Sequence, residues 1–462
     1  MKKINLYWLL TFFLFLIIFL PSILTDGMFL DGVTYSAISN NLANGHGDFF
    51  NLHYTKTIHA KFHEHPPLVF IIQSFFFKAF GSSFYTERVF GLFISLLTVF
   101  GIAKVWCLFH DKEQQKFNWV PIVIWLCVPL VMWSYRNNVL ENTMGVFTLF
   151  ASFFILKSLI NNSWGYLVFG GVFIVFGGLS KGPVAFFPLV IPFIYGLLYK
   201  TKNYSLYNSF ALFGVVILIG FVLFLLFPDL YNNITLYLNK QLIPSINNNR
   251  EVTTANRFYI LLVLLKELLS PIFALSFIVA LAHFKKIKLT LPKQTILFGL
   301  IALAASVPLI ISFKQRDFYL VPTIPFFALS AGCFLIKPIR LLTALISQSF
   351  LNWTKRIVVV LFIFFGGFVF ISQKGNSRDK VLLEDVYKIS SIIPEGSVIS
   401  TIKQIQTNWL LIAYLSRIGY ISLDDKRQHQ YLLTKKEEGC PKGYVKIGVD
   451  LELFYLLKRA SL

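Results

Sequence analysis

Runs of about 20 consecutive apolar residues recur along this chain, and a segment of that length can satisfy its backbone in hydrocarbon only as a membrane-crossing helix. Windows of this kind fall at 5–24, 84–106, 118–135, 138–158, 164–180, 182–199, 207–227, 258–282, 294–313, 317–336 and 356–373. Eleven spans in 462 residues leave little chain for anything else. Composition agrees, because 56% of residues are hydrophobic, 51 are Phe, and only 14% are charged. Soluble domains carry roughly 25% charged residues, so an ordinary soluble enzyme and a disordered chain are both excluded. Cys107, Cys127 and Cys333 sit in spans and Cys440 stands alone, which gives neither a disulfide framework nor a CxxC metal site.

The 42 Lys and Arg exceed the 22 Asp and Glu by 20 charges. In a polytopic chain such an excess marks cytoplasmic loops before it marks a nucleic-acid partner. The first run follows Lys2-Lys3 and has no small-residue cleavage pattern near Pro21-Ser22, so it reads as a retained anchor with a cytoplasmic N-terminus. Alternation then places Lys112, Lys116, Lys200, Lys202, Lys285, Lys286, Lys288, Lys337, Arg340, Lys355 and Arg356 inside. The expected location is the inner membrane of a bacterial cell. The expected fold is an all-α polytopic membrane bundle over 1–373, with interfacial helices in the long first loop, 25–83, and a small α/β domain over 374–462 outside the membrane. Within the first loop Pro66–Phe80 is apolar but too short to cross, and it reads as an interfacial helix. Residues 338–352 read as another on the cytoplasmic side. Beyond 374 the short apolar runs Val398–Ile402, Trp409–Tyr414 and Gly443–Ile447 alternate with turn signals such as Pro394-Glu395-Gly396.

Polar residues on the outward loops are the candidates for chemistry. Asp31, just after the first span, can deprotonate a hydroxyl, or can cap the helix that Val33, Tyr35, Ile38 and Leu42 suggest. His63-Glu64-His65-Pro66-Pro67 carries imidazole and carboxylate at metal-ligating density. Neighbours in extended chain point to opposite sides, however, so at most two of the three share one ion, with His59 as an added ligand, or the segment is a polar rim. Glu141 lies at a span end, where a carboxylate faces a cavity or a partner, and Arg136 is the nearby partner. Lys181 sits in Gly177-Gly178-Leu179-Ser180-Lys181-Gly182-Pro183, on the side where positive charge is disfavoured. Lys314, Arg316, Arg250 and Arg257 share that side, and phosphate is the anion such a group suits best.

In this order the residues resemble the GT-C glycosyltransferases, specifically glycosyltransferase family 39, which unites protein O-mannosyltransferases with bacterial lipid A aminoarabinose transferases. The likeness runs over about 1–336. It rests on Asp31 with Tyr35, Gly47-Asp48, Glu64-His65-Pro66-Pro67-Leu68, Phe80-Gly81, Glu87-Arg88-Val89, Glu141, Leu179-Ser180-Lys181-Gly182-Pro183 and Arg316-Asp317-Phe318-Tyr319-Leu320-Val321-Pro322. Three positions depart from the family. Gly32 replaces the usual Glu after the first-loop acid, His65 replaces a frequent Lys, and Glu141 stands where Asp is common.

The resemblance implies a hexosyl- or pentosyltransferase that moves a sugar from a polyprenyl-phosphate carrier to a lipid A-like lipid, protein or glycan, with inversion. It assigns Asp31 as base with Glu141 as second catalytic carboxylate. Lys181, Arg316, Lys314, Arg250 and Arg257 fall to the donor phosphate, Tyr35, His65 and Tyr319 to substrate, and Glu64 with His63 to an optional divalent metal ion. No GxxxxGK[ST] or Rossmann fingerprint occurs, in keeping with a carrier that brings its own activation. An O-antigen-type ligase or polymerase, and a flippase of lipid-linked sugars, are the alternative functions. A flippase calls for mid-membrane charges and repeated half-bundles, whereas the polar groups here collect on one face.

Overall fold

A computed structural model describes residues 6–247, 252–372 and 378–460. Its helices are α1 Leu6–Ile23, α2 Leu30–Ala43, α3 Leu68–Phe80, α4 Phe84–Phe109, α5 Lys112–Gln115, α6 Trp119–Leu126, α7 Pro129–Arg136, α8 Leu140–Asn161, α9 Trp164–Lys181 and α10 Ile191–Tyr199. They continue with α11 Lys202–Leu226, α12 Pro228–Tyr237, α13 Ile243–Ile246, α14 Tyr259–Phe284, α15 Lys293–Ser306, α16 Ile324–Ala344, α17 Gln348–Ser372, α18 Lys380–Ile392, α19 Lys403–Gln406 and α20 Trp409–Gly419.

Among the described residues nine helices are long and apolar enough to cross a bilayer, and the α5–α7 segment, bent by 76°, makes a tenth. The remaining window, 182–199, folds differently from a plain span. Pro183 and Pro188 remove backbone donors, so Pro183–Val190 winds as a 3₁₀ helix before α10 begins. The expected interfacial helix at 338–352 is absent as a separate element. Once formed, α16 propagates through Lys337 and Arg340 to Ala344, and α17 starts at Gln348. The bundle core gathers Ile38, Phe70, Trp106, Trp125, Leu140, Leu149, Phe298 and Phe326, all with almost no exposure. Large apolar side chains of α11 and α17, such as Phe210 and Phe364, face outward, which suits contact with lipid.

The first loop folds into α2 and α3, which lie over one end of the bundle. Gly32 packs so closely on the backbone of Asn137 that a β-carbon there would collide with its carbonyl oxygen. The Asn137 side chain accepts from the Phe29 amide at 2.7 Å, and Asn138 Nδ2 reaches the Gly32 carbonyl at 3.4 Å. These contacts set where α2 begins.

After residue 377 comes a mixed sheet of β1 Val398–Thr401, β2 Ser422–Asp424, β3 Tyr431–Lys435, β4 Tyr444–Lys446 and β5 Phe454–Arg459, in the order β2-β1-β3-β5-β4. β1 runs parallel to β2 and β3, and β5 is antiparallel to β3 and β4. The apolar run at Trp409 is helical, with Leu411, Ile412 and Leu415 buried at helical spacing. This domain seats on the first loop. Asn40 Nδ2 donates to the Arg417 carbonyl at 2.9 Å, Ser416 Oγ donates to the Tyr54 carbonyl at 2.5 Å, and the Lys56 amide donates to Ser422 Oγ at 2.9 Å. The His46 ring stacks on Tyr420 at 4.0 Å.

Candidate active site

Where the first loop meets the bundle, a cavity of about 330 Å³ opens between the ends of α8 and α9, the α12–α13 segment and the chain before α16. Six of the residues singled out in sequence line it: Glu64, His65, Glu141, Lys181, Lys314 and Tyr319. Its remaining wall is mostly apolar, with Met144, Val184, Leu242, Ile246, Pro308, Leu309 and Ile311, interrupted by Tyr237, Gln241, Ser245 and Ser312. A polar end joined to an apolar groove fits a ligand that is itself an anionic group on a hydrocarbon chain.

Lys181 is the last residue of α9, and its Nζ lies 3.1 Å from Glu141 Oε1 in the first turn of α8, with both side chains buried. Glu141 therefore pairs with Lys181 and not with Arg136, whose carbonyl instead accepts from Arg88. Gly182 turns the chain with φ of +90°, and its missing side chain leaves room for Tyr237, whose hydroxyl donates to the Lys181 carbonyl at 3.2 Å. Lys181 Nζ also stands 5.6 Å from the Tyr319 ring centre and 5.9 Å from that of Tyr35, within reach of both aromatic faces.

Asp31 is the second residue of α2, whose N-cap is Phe29, so it does not cap the helix. Its electrostatic neighbours are Lys181, Arg316, Lys314 and Glu64. Burial pushes its pKa above the ordinary carboxylate range, and the three cations only partly offset that rise. One turn on, Tyr35 Oη pairs with His65 Nε2 at 3.0 Å. Burial, reinforced by Asp31, raises the Tyr35 pKa far above its usual value and keeps the phenol protonated.

Glu64 is tied down by a residue sequence reading overlooked, since Gln241 Nε2 donates to its Oε1 at 3.2 Å. His63 faces a neighbouring cleft of about 210 Å³, lined also by His59, Lys61, Glu64, Lys240 and Gln241. Burial, then Lys240 and Lys61, lower the His63 pKa. Among the described residues no group of three or more His, Cys, Asp or Glu side chains is placed to hold a metal ion, so the proposed Glu64–His63 metal pair finds no third ligand of that kind.

Of the proposed phosphate ligands, Arg257 and Arg316 are not among the residues that line the cavity, although Arg316 lies close enough to act on Asp31. Arg250 lies outside the described residues. The Arg257 guanidinium covers the Phe313 ring at 4.5 Å, while its carbonyl accepts from Gln315 Nε2 at 2.8 Å. Gln315 is buried and also takes the Ile260 amide on its Oε1 at 2.9 Å, which fixes the chain that carries Lys314 and Arg316. Sequence gave no sign of this role, because an isolated Gln between two cations reads as loop.

A second buried cluster lies on the far side of α2. Arg417 of α20 contacts Asp26 Oδ1 at 3.0 Å and Oδ2 at 3.1 Å, and Glu87 Oε1 at 3.1 Å, with its side chain 5% exposed. Tyr387 Oη donates to Asp26 Oδ2 at 2.6 Å, and Ser36 Oγ bonds the other Glu87 oxygen. Burial works to raise the Asp26 pKa, but Arg417, Tyr387 and the Gly27 amide together hold it below the usual value. Asp48 serves its own turn by accepting from the amides of Phe50 and Asn51.

Residues 64–227 match the family described as dolichyl-phosphate-mannose-protein mannosyltransferase. The crystal structure of ArnT from Cupriavidus metallidurans in the apo state superposes with a TM-score of 0.64 at 14% identity, covering 98% of this chain and 97% of that one. The same protein bound to undecaprenyl phosphate gives a TM-score of 0.64 at 13% identity, covering 96% of each chain. No curated protein matches in sequence. The chain thus shares the fold of ArnT along nearly its whole length, and residues 64–227 carry the sequence pattern of the mannosyltransferase family.

Proposed function

We propose that this protein transfers a sugar from a polyprenyl-phosphate carrier to an acceptor hydroxyl at the outer face of a bacterial inner membrane. In this reading the N-terminus is cytoplasmic and the C-terminal domain lies outside. The observation that carries the proposal is the cavity itself, in which Lys181 and Lys314 stand at the head of an apolar groove with Asp31 close enough to feel both charges. The carrier's isoprenoid chain would lie along Val184, Ile246, Pro308 and Leu309, and its phosphate would meet the lysines and Arg316.

The reaction then needs little beyond position and charge. Asp31 takes the proton from the acceptor hydroxyl, whose oxygen forms the new bond to the anomeric carbon. The bond from that carbon to the phosphate oxygen breaks, and its electron pair leaves with the polyprenyl phosphate, where cations stabilise the growing negative charge. A single displacement inverts the anomeric centre. His65 and Tyr319 line the cavity, Tyr35 meets it through His65, and the three would orient the donor, while Glu141 holds Lys181 in place.

The test is transfer in proteoliposomes supplied with polyprenyl-phosphate sugars and a mixture of envelope lipids, peptides and glycans. Release of polyprenyl phosphate coupled to a new glycosylated product is the expected result. Absence of both, with folded protein and the full donor set, would overturn the assignment.

A further inference from the structure

The geometry points to Arg417 as a positioning residue, through which the C-terminal domain holds the helix that carries Asp31. This inference rests on the reading of Asp31 as the base. Helix α2 has two working faces. Asp31 and Tyr35, four residues apart, share the face toward Lys181, while Ser36 and Asn40, also four apart, share the face toward Glu87 and Arg417. Both residues of the second face are engaged by the Arg417 cluster. Asn40 donates to the Arg417 carbonyl, and Ser36 bonds Glu87, which the guanidinium contacts at 3.1 Å.

The same guanidinium also fixes the approach to α2. It grips both oxygens of Asp26, and the chain from Gly27 to Phe29 leads straight from there into the helix. The Met28 amide in this stretch donates to Tyr414 Oη of α20 at 3.2 Å. Arg88, next to Glu87, holds the other side of the approach through the carbonyls of Thr25 and Gly27, at 3.1 and 2.8 Å. One side chain of the C-terminal domain thus meets the entry to α2, the back of α2 through Glu87 and Ser36, and the first turn of α4. Nothing in this cluster lines the cavity. Its effect on chemistry is therefore one of placement, and misplacing a reacting group by about 1 Å can cost on the order of 10²-fold in rate.

The experiment uses the full-length protein in lipid nanodiscs. Arg417→Gln is compared with Arg417→Lys, which keeps the charge but not the two-pronged contact, and with Tyr387→Phe, a milder change that removes one hydrogen bond to Asp26 and a longer one from Arg417. Two readouts are taken, namely amide hydrogen exchange over residues 33–41 and turnover with polyprenyl-phosphate sugar. The expected result for Arg417→Gln is faster exchange in α2 with the C-terminal sheet still protected. Its kcat should fall by about 10² while donor KM moves less than about threefold, with Arg417→Lys in between. If Arg417→Gln fails to fold, Tyr387→Phe must show the same pattern in weaker form. Unchanged exchange in α2 would overturn the inference, and so would faster exchange with unaltered turnover per folded molecule. A wild-type protein without any transfer would sink the transferase reading instead, and the exchange readout would still decide whether Arg417 orders α2.

Discussion

Lys181 Nζ and Glu141 Oε1 are 3.1 Å apart at the head of the cavity, each side chain with less than a tenth of its surface exposed. Removing one member of a buried pair strands the other, a change that costs about 3–5 kcal/mol, whereas replacing both with apolar residues is often neutral. Lys181→Ala should therefore lower thermal stability sharply, and Lys181→Met combined with Glu141→Leu should restore most of it. Donor binding should stay weak in both variants, because the cation is missing in each. Measured unfolding temperatures and donor affinity check the two halves separately.

Asp31→Asn should leave expression and unfolding temperature close to those of the native protein and reduce kcat by about 10² to 10⁴. With Asp31 as the proposed base, the native protein should show an acidic limb in its rate profile. Asp31 must be ionised to accept a proton, and burial raises its pKa, so activity climbs with pH through a midpoint above the usual carboxylate value of about 3.9 and then levels off. Lys314→Gln removes one of the charges that oppose the rise, and its limb should move to higher pH. A profile of kcat/KM against pH for both proteins measures the shift.

The Arg417–Asp26 contact gives the docked C-terminal domain a defined acid limit. The Asp26 pKa lies below its unfolded value, so its contribution to stability is complete above about 3.9 and disappears only as pH falls through the lower, folded value. Docking should persist at pH 5 and fail in stronger acid. Limited proteolysis of the C-terminal domain across that range reads the transition.

Gly182→Ala should destabilise the protein by roughly 1–3 kcal/mol, since φ is +90° there and the new methyl group would press on the Tyr237 hydroxyl. It should also weaken donor binding by displacing Lys181, one residue earlier. Unfolding temperature and donor affinity should fall together, and loss of stability with unchanged affinity would separate the turn from the site.

The bundle was readable, and so was the grouping of Glu64, His65, Glu141, Lys181, Lys314 and Tyr319 around one cavity, because their signals are local. Apolar runs mark the spans, and the Gly-Pro break after Lys181 marks the end of α9. The Lys181–Glu141 pairing was not readable, because the nearer cation in sequence, Arg136, is a plausible partner and only the meeting of α8 with α9 chooses between them. Gln241 reaches Glu64 across 177 residues, and Arg417 reaches Asp26 across 391, distances over which no periodicity or motif carries information. Arg257 shows the opposite failure. Its outward charge matched the expected pattern, but its guanidinium rests on the aromatic face of Phe313.

The close contact between Gly32 and the Asn137 carbonyl decides how the acid in the first turn of α2 can vary. A second carboxylate beside Asp31 cannot be gained by changing residue 32 alone, because main chain already occupies the space a side chain would need. Any variant with paired acids would have to rebuild the Asn137–Asn138 turn at the same time. The solitary carboxylate is thus written into the backbone, where single substitutions do not reach it.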